Sequence, residues 1–279
     1  MKITLAKSAG FCFGVNRALK IALKTAKSKQ KVYMLGDIVH NEDVIKEITK
    51  SGIKKISRLT KGKNKILLIR AHGASQNTFN KARSLGYTIV DATCPMVQEI
   101  HKTAKQMEQQ GYSIIIIGDK RHDEVRGIIG QLTNKAIVID KIETIPFKKI
   151  SRIKKAAVLC QSTQKLDKVI EIVEILKQYI KELQFFNTIC RPTRIKQEEI
   201  KHLPLDNDVM IIIGSKTSAN TRRLFEISKS LNPKSFWVQS KKDINPIWFK
   251  NANNIAITSG ASTPDWITQE VIKKISKAA

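Results

Sequence analysis

The sequence predicts an α/β fold made of three similar small α/β lobes with mostly parallel sheets, and three observations carry that reading. Short apolar runs alternate along the chain with amphipathic stretches of helical length. Hydrophobic residues make up 42% and are spread throughout, so no segment has the composition of a disordered tail. One local pattern also occurs three times: a strand-like start, a short polar turn, a cysteine, then a helix-like or turn-forming segment. Its copies end in Ala9-Gly10-Phe11-Cys12, Asp91-Ala92-Thr93-Cys94 and Asn187-Thr188-Ile189-Cys190. The intervals between these cysteines are each about one small α/β lobe long. Cuts near residues 94 and 189 therefore give expected lobes 1–94, 95–189 and 190–279.

The elements follow in order. Met1 to Leu5 reads as a strand, and so do Val32 to Leu35, Ile66 to Ile69, Ile114 to Ile117, Ala156 to Leu159, Val209 to Ile213 and Ile255 to Ile257. Between them, Val15 to Ser28, Asp43 to Ser51, Gln76 to Leu85, Val97 to Gln110, Leu166 to Leu183, Thr221 to Leu231 and Asp265 to Ala279 carry apolar residues at three- and four-residue spacing. That spacing gives each helix one apolar face, and such helices cover the faces of a parallel sheet.

Composition removes several classes. Val209 to Ile213 is among the longest wholly apolar runs and falls far short of the roughly 20 residues a membrane-spanning helix needs. No apolar signal core or small-residue cleavage site follows Met1, so the protein is expected in the cytoplasm. Four cysteines are too few for a disulfide scaffold, and none forms a Cys-x-x-Cys pair, which excludes a zinc ribbon or thioredoxin-type motif. Fifty Lys and Arg against 24 Asp and Glu give a formal charge of +26. That sign attracts nucleic acid, anionic membranes or acidic proteins. The lysines are scattered through almost every segment, which is the pattern of a solvated surface rather than a binding footprint.

Polar residues cluster where an α/β sheet presents its ligands, beyond the carboxyl ends of strands. His40, His72 and His122 each lie just past an apolar run, whereas His101 and His202 read as ordinary surface residues. Imidazoles donate hydrogen bonds and take up positive charge near neutral pH, so three in register suit a phosphate or diphosphate. Gln161-Ser162-Thr163, Gly214-Ser215-Lys216-Thr217-Ser218-Ala219-Asn220 and Ser259-Gly260-Ala261-Ser262 follow later strands. Small hydroxyls, an amide and glycines at helix starts are the parts of an anion site, and each is equally the material of a plain helix cap.

The thiolate is the metal-binding form of cysteine, and a helix start favours an anion. Cys12 precedes the helix that begins near Val15, and Cys94 precedes Pro95, a favoured first-turn residue. Three such ligands, one from each copy of the recurring pattern, would hold a cubane cluster with one iron lacking a protein ligand. Cys160 ends the apolar run Ala156 to Leu159 and lacks the recurring turn, so it reads as a small buried residue. The alternative makes it a fourth ligand, which would close the cluster and leave electron transfer only.

Seven motifs in order then carry a resemblance. They are Gly10-Phe11-Cys12-Phe13-Gly14-Val15-Asn16-Arg17-Ala18, Val39-His40-Asn41, Ala71-His72-Gly73, Asp91-Ala92-Thr93-Cys94-Pro95, His122 with Glu124, Gly214-Ser215-Lys216 and Gly260-Ala261-Ser262. From residue 1 to about 270 the chain resembles the 4-hydroxy-3-methylbut-2-enyl diphosphate reductase family, the last enzyme of the non-mevalonate isoprenoid pathway. The resemblance implies one 4Fe-4S cluster at the centre of the three lobes, with Cys12, Cys94 and Cys190 as its three ligands. It implies that His40, His72, His122, Ser218, Asn220 and Ser262 hold the diphosphate, with Ser162, Thr163 and Ala219 also at the substrate. Glu124 is the implied proton donor, a role that suits a carboxyl in a closed pocket beside an anion. Ser162 stands where the family usually has threonine, and Ala219 where many members have serine. After Cys190, Thr193 and Gln197 are kept while Ile195-Lys196 replaces the familiar Asn-Arg pair, the largest departure from the family pattern.

The implied partners are a small allylic diphosphate and an acidic electron carrier such as ferredoxin or flavodoxin. No membrane and no specific nucleic acid is expected, and the chain is read as a monomer or weak homodimer. Two other readings stand beside the reductase: a basic iron-sulfur RNA-binding protein, and a slow, partly decayed copy of the reductase. Aromatic residues at 6% and the absence of a basic-aromatic strand motif count against the first.

Overall fold

The computed structural model describes residues 1–278; Ala279, the last residue of the expected third lobe, lies outside them. The chain opens with β1 (Lys2–Leu5), α1 (Phe13–Ala26), β2 (Lys31–Leu35), α2 (Glu42–Lys50), β3 (Lys54–Ile56), β4 (Lys65–Ile69), α3 (Gln76–Ser84) and β5 (Tyr87–Asp91). It continues through α4 (Pro95–Gln109), β6 (Ser113–Ile117), α5 (Asp123–Ile129), β7 (Ile137–Ile139), α6 (Phe147–Ile150), β8 (Lys155–Cys160), α7 (Leu166–Lys177) and β9 (Glu182–Phe186). Then come α8 (Arg191–His202), β10 (Val209–Ile213), α9 (Ala219–Leu231), β11 (Ser235–Val238), β12 (Asn254–Ser259) and α10 (Asp265–Ala278).

The strands form three four-stranded sheets, ordered β3-β2-β4-β5, β7-β6-β8-β9 and β1-β12-β10-β11, and every pairing in them is parallel. All three share one topology. The first strand of a lobe lies inside, the second on the near edge, the third on its other side and the fourth on the far edge. In the third sheet that fourth place is filled from the other end of the chain, by β1, with Ile3 in register with Ile255 and Leu5 with Ile257.

The inner strands are richest in apolar residues where both faces are covered. Every residue of Val209–Ile213 is buried, as are Ile114 to Ile117 and Ala156 to Cys160. α7 shows the helical counterpart. Its Val169, Ile172, Val173 and Leu176 fall at three- and four-residue spacing and join Ile115, Ile117 and Val158 in one core cluster. Each such aliphatic side chain contributes about 1.5–3 kcal/mol by leaving water. The expected helix Leu166 to Leu183 stops at Lys177, because Leu183 and Phe185, on one face of β9, pack into the same cluster as a strand beside β8.

Two compact units are present. One comprises Met1–Asn16, Val39–Lys46 and the chain from Arg191 onward; the other comprises Arg17–Ile38 and Glu47–Cys190. The third sheet lies in the first unit and the other two lie in the second. Among the described residues no helix is long and apolar enough to cross a membrane.

Candidate active site

In each sheet the connections leave the first and third strands toward opposite sides, which makes a switch point between β2 and β4, between β6 and β8, and between β10 and β12. The polar residues singled out in the sequence all lie on the six loops that leave these strands, or at the helix starts that follow. His40 comes after β2, His72 after β4, His122 and Glu124 after β6, and Ser162 and Thr163 after β8. Ser218, Ala219 and Asn220 come after β10, and Ser262 after β12.

In the second unit these loops assemble around Glu124, which is 2% exposed. His122 caps α5: its Nδ1 accepts the Glu124 backbone N–H at 3.2 Å, which leaves Nε2 as the protonated nitrogen of a neutral ring. The His72 ring stands edge-on to that of His122, 5.5 Å between centroids. Ser162 then holds both carboxylate oxygens of Glu124, its N–H donating to Oε1 at 2.6 Å and its hydroxyl to Oε2 at 2.7 Å. Thr163 accepts from the Gln161 amide at 3.1 Å. The loops are also tied to one another. Arg70, two residues before His72, donates to Asp123, beside Glu124, at 2.6 Å, in a pair whose side chains are each 22% exposed.

In the first unit the donors are hydroxyls and an amide. Ser218 caps α9 by accepting the Thr221 N–H at 3.3 Å, which keeps its own hydrogen available, and Ala219 opens the helix with no hydroxyl. Asn220 is 4% exposed, and both polar atoms of its amide are buried with no hydrogen-bond partner among the described residues. A buried amide left in that state costs about 1–3 kcal/mol, so the fold alone gives no return for keeping it. Ser262 donates to the His40 carbonyl at 3.0 Å, and Ser215 to Glu42 at 2.9 Å, which seats the His40 segment at the ends of β10 and β12. Gly260 is required there: a Cβ would lie 2.0 Å from the Thr221 hydroxyl oxygen.

The three repeated cysteines occupy equivalent places. Each follows the far-edge strand of its sheet and immediately precedes a helix: Cys12 before α1, Cys94 before α4, Cys190 before α8. Each is half-buried. Cys12 Sγ accepts the Val15 N–H at 3.5 Å, and Cys94 is the N-cap of α4 with Pro95 at the first turn. Cys160 differs, being fully buried in the core beside Ile117 and Val158. Burial pushes its thiol above the ordinary value, against hydrogen bonds from Thr188.

Two residues escaped the sequence reading. His101 is not a surface residue: it is 9% exposed on α4, and burial lowers its pKa to about 4, so it is a neutral imidazole at physiological pH. It fills the corner under the His72 loop, where a Cβ on Gly73 (φ +77°) would lie 2.7 Å from the His101 ring. The second is Lys196. Among the described residues Glu124 and Lys196 are the only buried carboxylate and the only buried lysine or arginine. Burying a charge is costly enough that both positions call for a role.

The fold and these loops define a class: an α/β protein of three parallel sheets that sets thiols at helix starts and histidines, small hydroxyls and an amide at its switch points. The chain belongs to the LytB protein family, whose model matches residues 3–276. It is similar to the 4-hydroxy-3-methylbut-2-enyl diphosphate reductase of Aquifex aeolicus, 37% identical over 279 residues, which is 99% of this chain and 96% of that protein. The reductase of the same name from Helicobacter pylori is 38% identical over 278 residues and 99% of each chain. Two solved structures share the architecture. One is (E)-4-hydroxy-3-methyl-but-2-enyl diphosphate reductase, described as the terminal enzyme of the non-mevalonate pathway, at 36% identity and TM-score 0.74 over 99% of this chain and 100% of that one. The other is the E-1-hydroxy-2-methyl-but-2-enyl-4-diphosphate reductase of Plasmodium falciparum, at 30% identity and TM-score 0.87 over 97% of this chain and 86% of that one.

Proposed function

We propose that this chain reduces 4-hydroxy-3-methylbut-2-enyl diphosphate to isopentenyl and dimethylallyl diphosphate: two electrons and two protons enter, the allylic C–O bond breaks and water leaves. The observation that carries this reading is the recurrence of a half-buried cysteine before a helix, after the far-edge strand of each of the three sheets. Three thiolate donors with no fourth suit a 4Fe-4S cluster that has one iron open, and Cys12, Cys94 and Cys190 would hold it. When bound, the cluster supplies the electrons one at a time.

The rest of the work falls to side chains. The diphosphate is assigned to His40, His72, His122, Ser218, Asn220 and Ser262, with the α9 start at Ala219. Glu124 provides the proton that the departing hydroxyl requires, and Ser162 and Thr163 orient the substrate end. Because Ser162 bonds both oxygens of Glu124, the carboxyl is oriented before the reaction begins. A proton on Oε2 would reverse the hydroxyl bond, so that Ser162 accepts from Glu124 and directs its own hydrogen onward. The formal charge of +26 supports an acidic ferredoxin or flavodoxin as electron donor.

Anaerobically purified protein is expected to show a broad visible charge-transfer band and to convert the hydroxylated diphosphate with a reduced dye. Protein that stays colourless after cluster reconstitution refutes the proposal. With an acidic carrier in place of the dye, the rate should fall as ionic strength rises.

A further inference from the structure

Lys196 is 3% exposed, in a chain whose other lysines and arginines lie at or near the surface. Its neighbour Ile195 is 49% exposed, so the two residues that depart from the family pattern face opposite ways. The ammonium donates to the Ser8 carbonyl and, at 3.0 Å, to the Ser259 carbonyl at the end of β12. One turn further along α8, Glu199 accepts the Lys7 N–H at 2.6 Å, the Ser8 N–H at 3.0 Å and the Ser8 hydroxyl. Ser8 is thereby gripped at its N–H, its hydroxyl and its carbonyl by two opposite charges of one helix.

The grip acts on the loop that carries Cys12. That loop runs from the end of β1 to the start of α1, and its remaining ties are also to the β12 end: Gly10 N–H to the Ser259 hydroxyl at 2.6 Å, and Cys12 N–H to the Ala261 carbonyl at 3.0 Å. Lys196 holds both sides of this arrangement, because it bonds Ser8 on one strand end and Ser259 on the other. Burial lowers the ammonium's pKa to about 8, with Cys12, Glu199 and Asp265 acting in the opposite sense, so Lys196 is a cation at neutral pH. A buried cation hydrogen-bonded to carbonyls is hard to replace: removing it leaves two carbonyls and a nearby carboxylate without their counter-charge.

We propose that Lys196 and Glu199 form a charged clamp on α8 that fixes the Cys12 loop, making both of them positioning residues for Cys12. The consequence for the cluster rests on the reading of Cys12 as a ligand; the consequence for the loop does not. On this account Ile195-Lys196 is a working arrangement of this chain, in which Lys196 and Glu199 act together, and not a sign of decay.

The test compares the thiols within one molecule. In the cluster-free full-length chain, alkylation by iodoacetamide is followed by peptide mass spectrometry at Cys12 and, as internal reference, at Cys94. Lys196→Met and Glu199→Ala should each raise the Cys12 rate by about tenfold or more, because a hydrogen bond to a charged group restrains local opening, and leave Cys94 unchanged. Lys196→Arg, which keeps the charge and donors, and Glu199→Gln, which keeps an acceptor, should return the Cys12 rate to within about threefold of the parent. In reconstituted protein the first two variants should also lose iron to a chelator faster. An unchanged ratio of Cys12 to Cys94 alkylation in both Lys196→Met and Glu199→Ala overturns the clamp, and so does a parallel rise at both thiols, which marks general unfolding. If a variant fails to fold, the ratio in Glu199→Gln and Lys196→Arg decides, since a clamp predicts a small selective rise at Cys12 and its absence predicts none. A Cys12→Ala chain that still binds a full complement of iron would instead remove Cys12 as a ligand and leave the alkylation result standing.

Discussion

Stability on the acid side should depend on His101. Its imidazole is buried against the Gly73 turn, and burial is the largest cause of a pKa lowered from 6.5 to about 4, with Lys105 in the same sense and Asp91 opposed. The unfolded chain therefore takes up a proton in a range where the folded chain does not. Below about pH 6.5 stability falls as pH falls, and the loss is complete near about pH 4, where the folded ring also protonates. The gap between the two values is worth roughly 3 kcal/mol in full, of which about 2 kcal/mol falls between pH 7 and pH 5. Urea denaturation of the cluster-free chain at those two pH values measures it, with His101→Leu as comparison. Leucine is close in size and leaves behind no unpaired nitrogen, so the variant should lose about 2 kcal/mol less than the parent over this range. All other titrating groups are common to both proteins and cancel. Parallel pH profiles for parent and variant would refute the assignment of a buried neutral imidazole, as would a His101 ring resonance that titrates near pH 6.5.

Three further outcomes follow from named contacts. Ser162→Ala removes the hydroxyl bonded to Glu124 Oε2 but keeps the backbone bond to Oε1, so kcat should fall by roughly tenfold, with Ser162→Thr restoring it; steady-state kinetics decide. Asn220→Leu removes a buried amide that has no partner among the described residues, so the ligand-free chain should gain about 1 kcal/mol or more of stability while affinity for inorganic pyrophosphate drops, as thermal melts and calorimetry would show. Cys160→Ala should cost roughly 1–2 kcal/mol of stability from the core and leave bound iron per chain unchanged, which elemental analysis would establish.

The fold was legible in the sequence where burial on both faces forces a wholly apolar strand. Val209–Ile213 and Ile114 to Ile117 stand out for that reason. Edge strands carry no such signal. Lys54–Ile56 has lysine at two of its three positions, and the start of Glu182–Phe186 reads as the tail of a helix because Leu183 continues the apolar spacing of α7. The short α5 was missed for want of a full apolar period, although its buried Val125 and Ile128 lie three residues apart. The loop residues were legible because sheets of this topology present them after particular strands, and all nine proposed substrate residues fall on those loops or at the helix starts after them. His101 and Lys196 were not, because nothing local distinguishes a buried imidazole or ammonium on a charged helix from an exposed one. Their environment is made by segments distant in sequence: Gly73 and Gly127 for the first, Ser8 and Ser259 for the second. The one available hint was the pair Ile195-Lys196, which sat where the expected pattern broke.

That β1 completes the last sheet has a consequence for how the protein is made. On the ribosome, Lys2–Leu5 emerges long before its partner Asn254–Ser259, so the strand must wait with its hydrogen-bonding edge unsatisfied while the intervening chain is made. The Cys12 loop waits with it, because the carbonyl that receives the Cys12 N–H belongs to Ala261 and the residues that grip Ser8 belong to α8. Nascent chains released before β12 would therefore present Cys12 on an unanchored arm, open to oxidation and to pairing with other edges. Synthesis of β12 and the loop after it is in this sense the step that readies the Cys12 thiol, and any cofactor that uses it is delivered once that strand is in place.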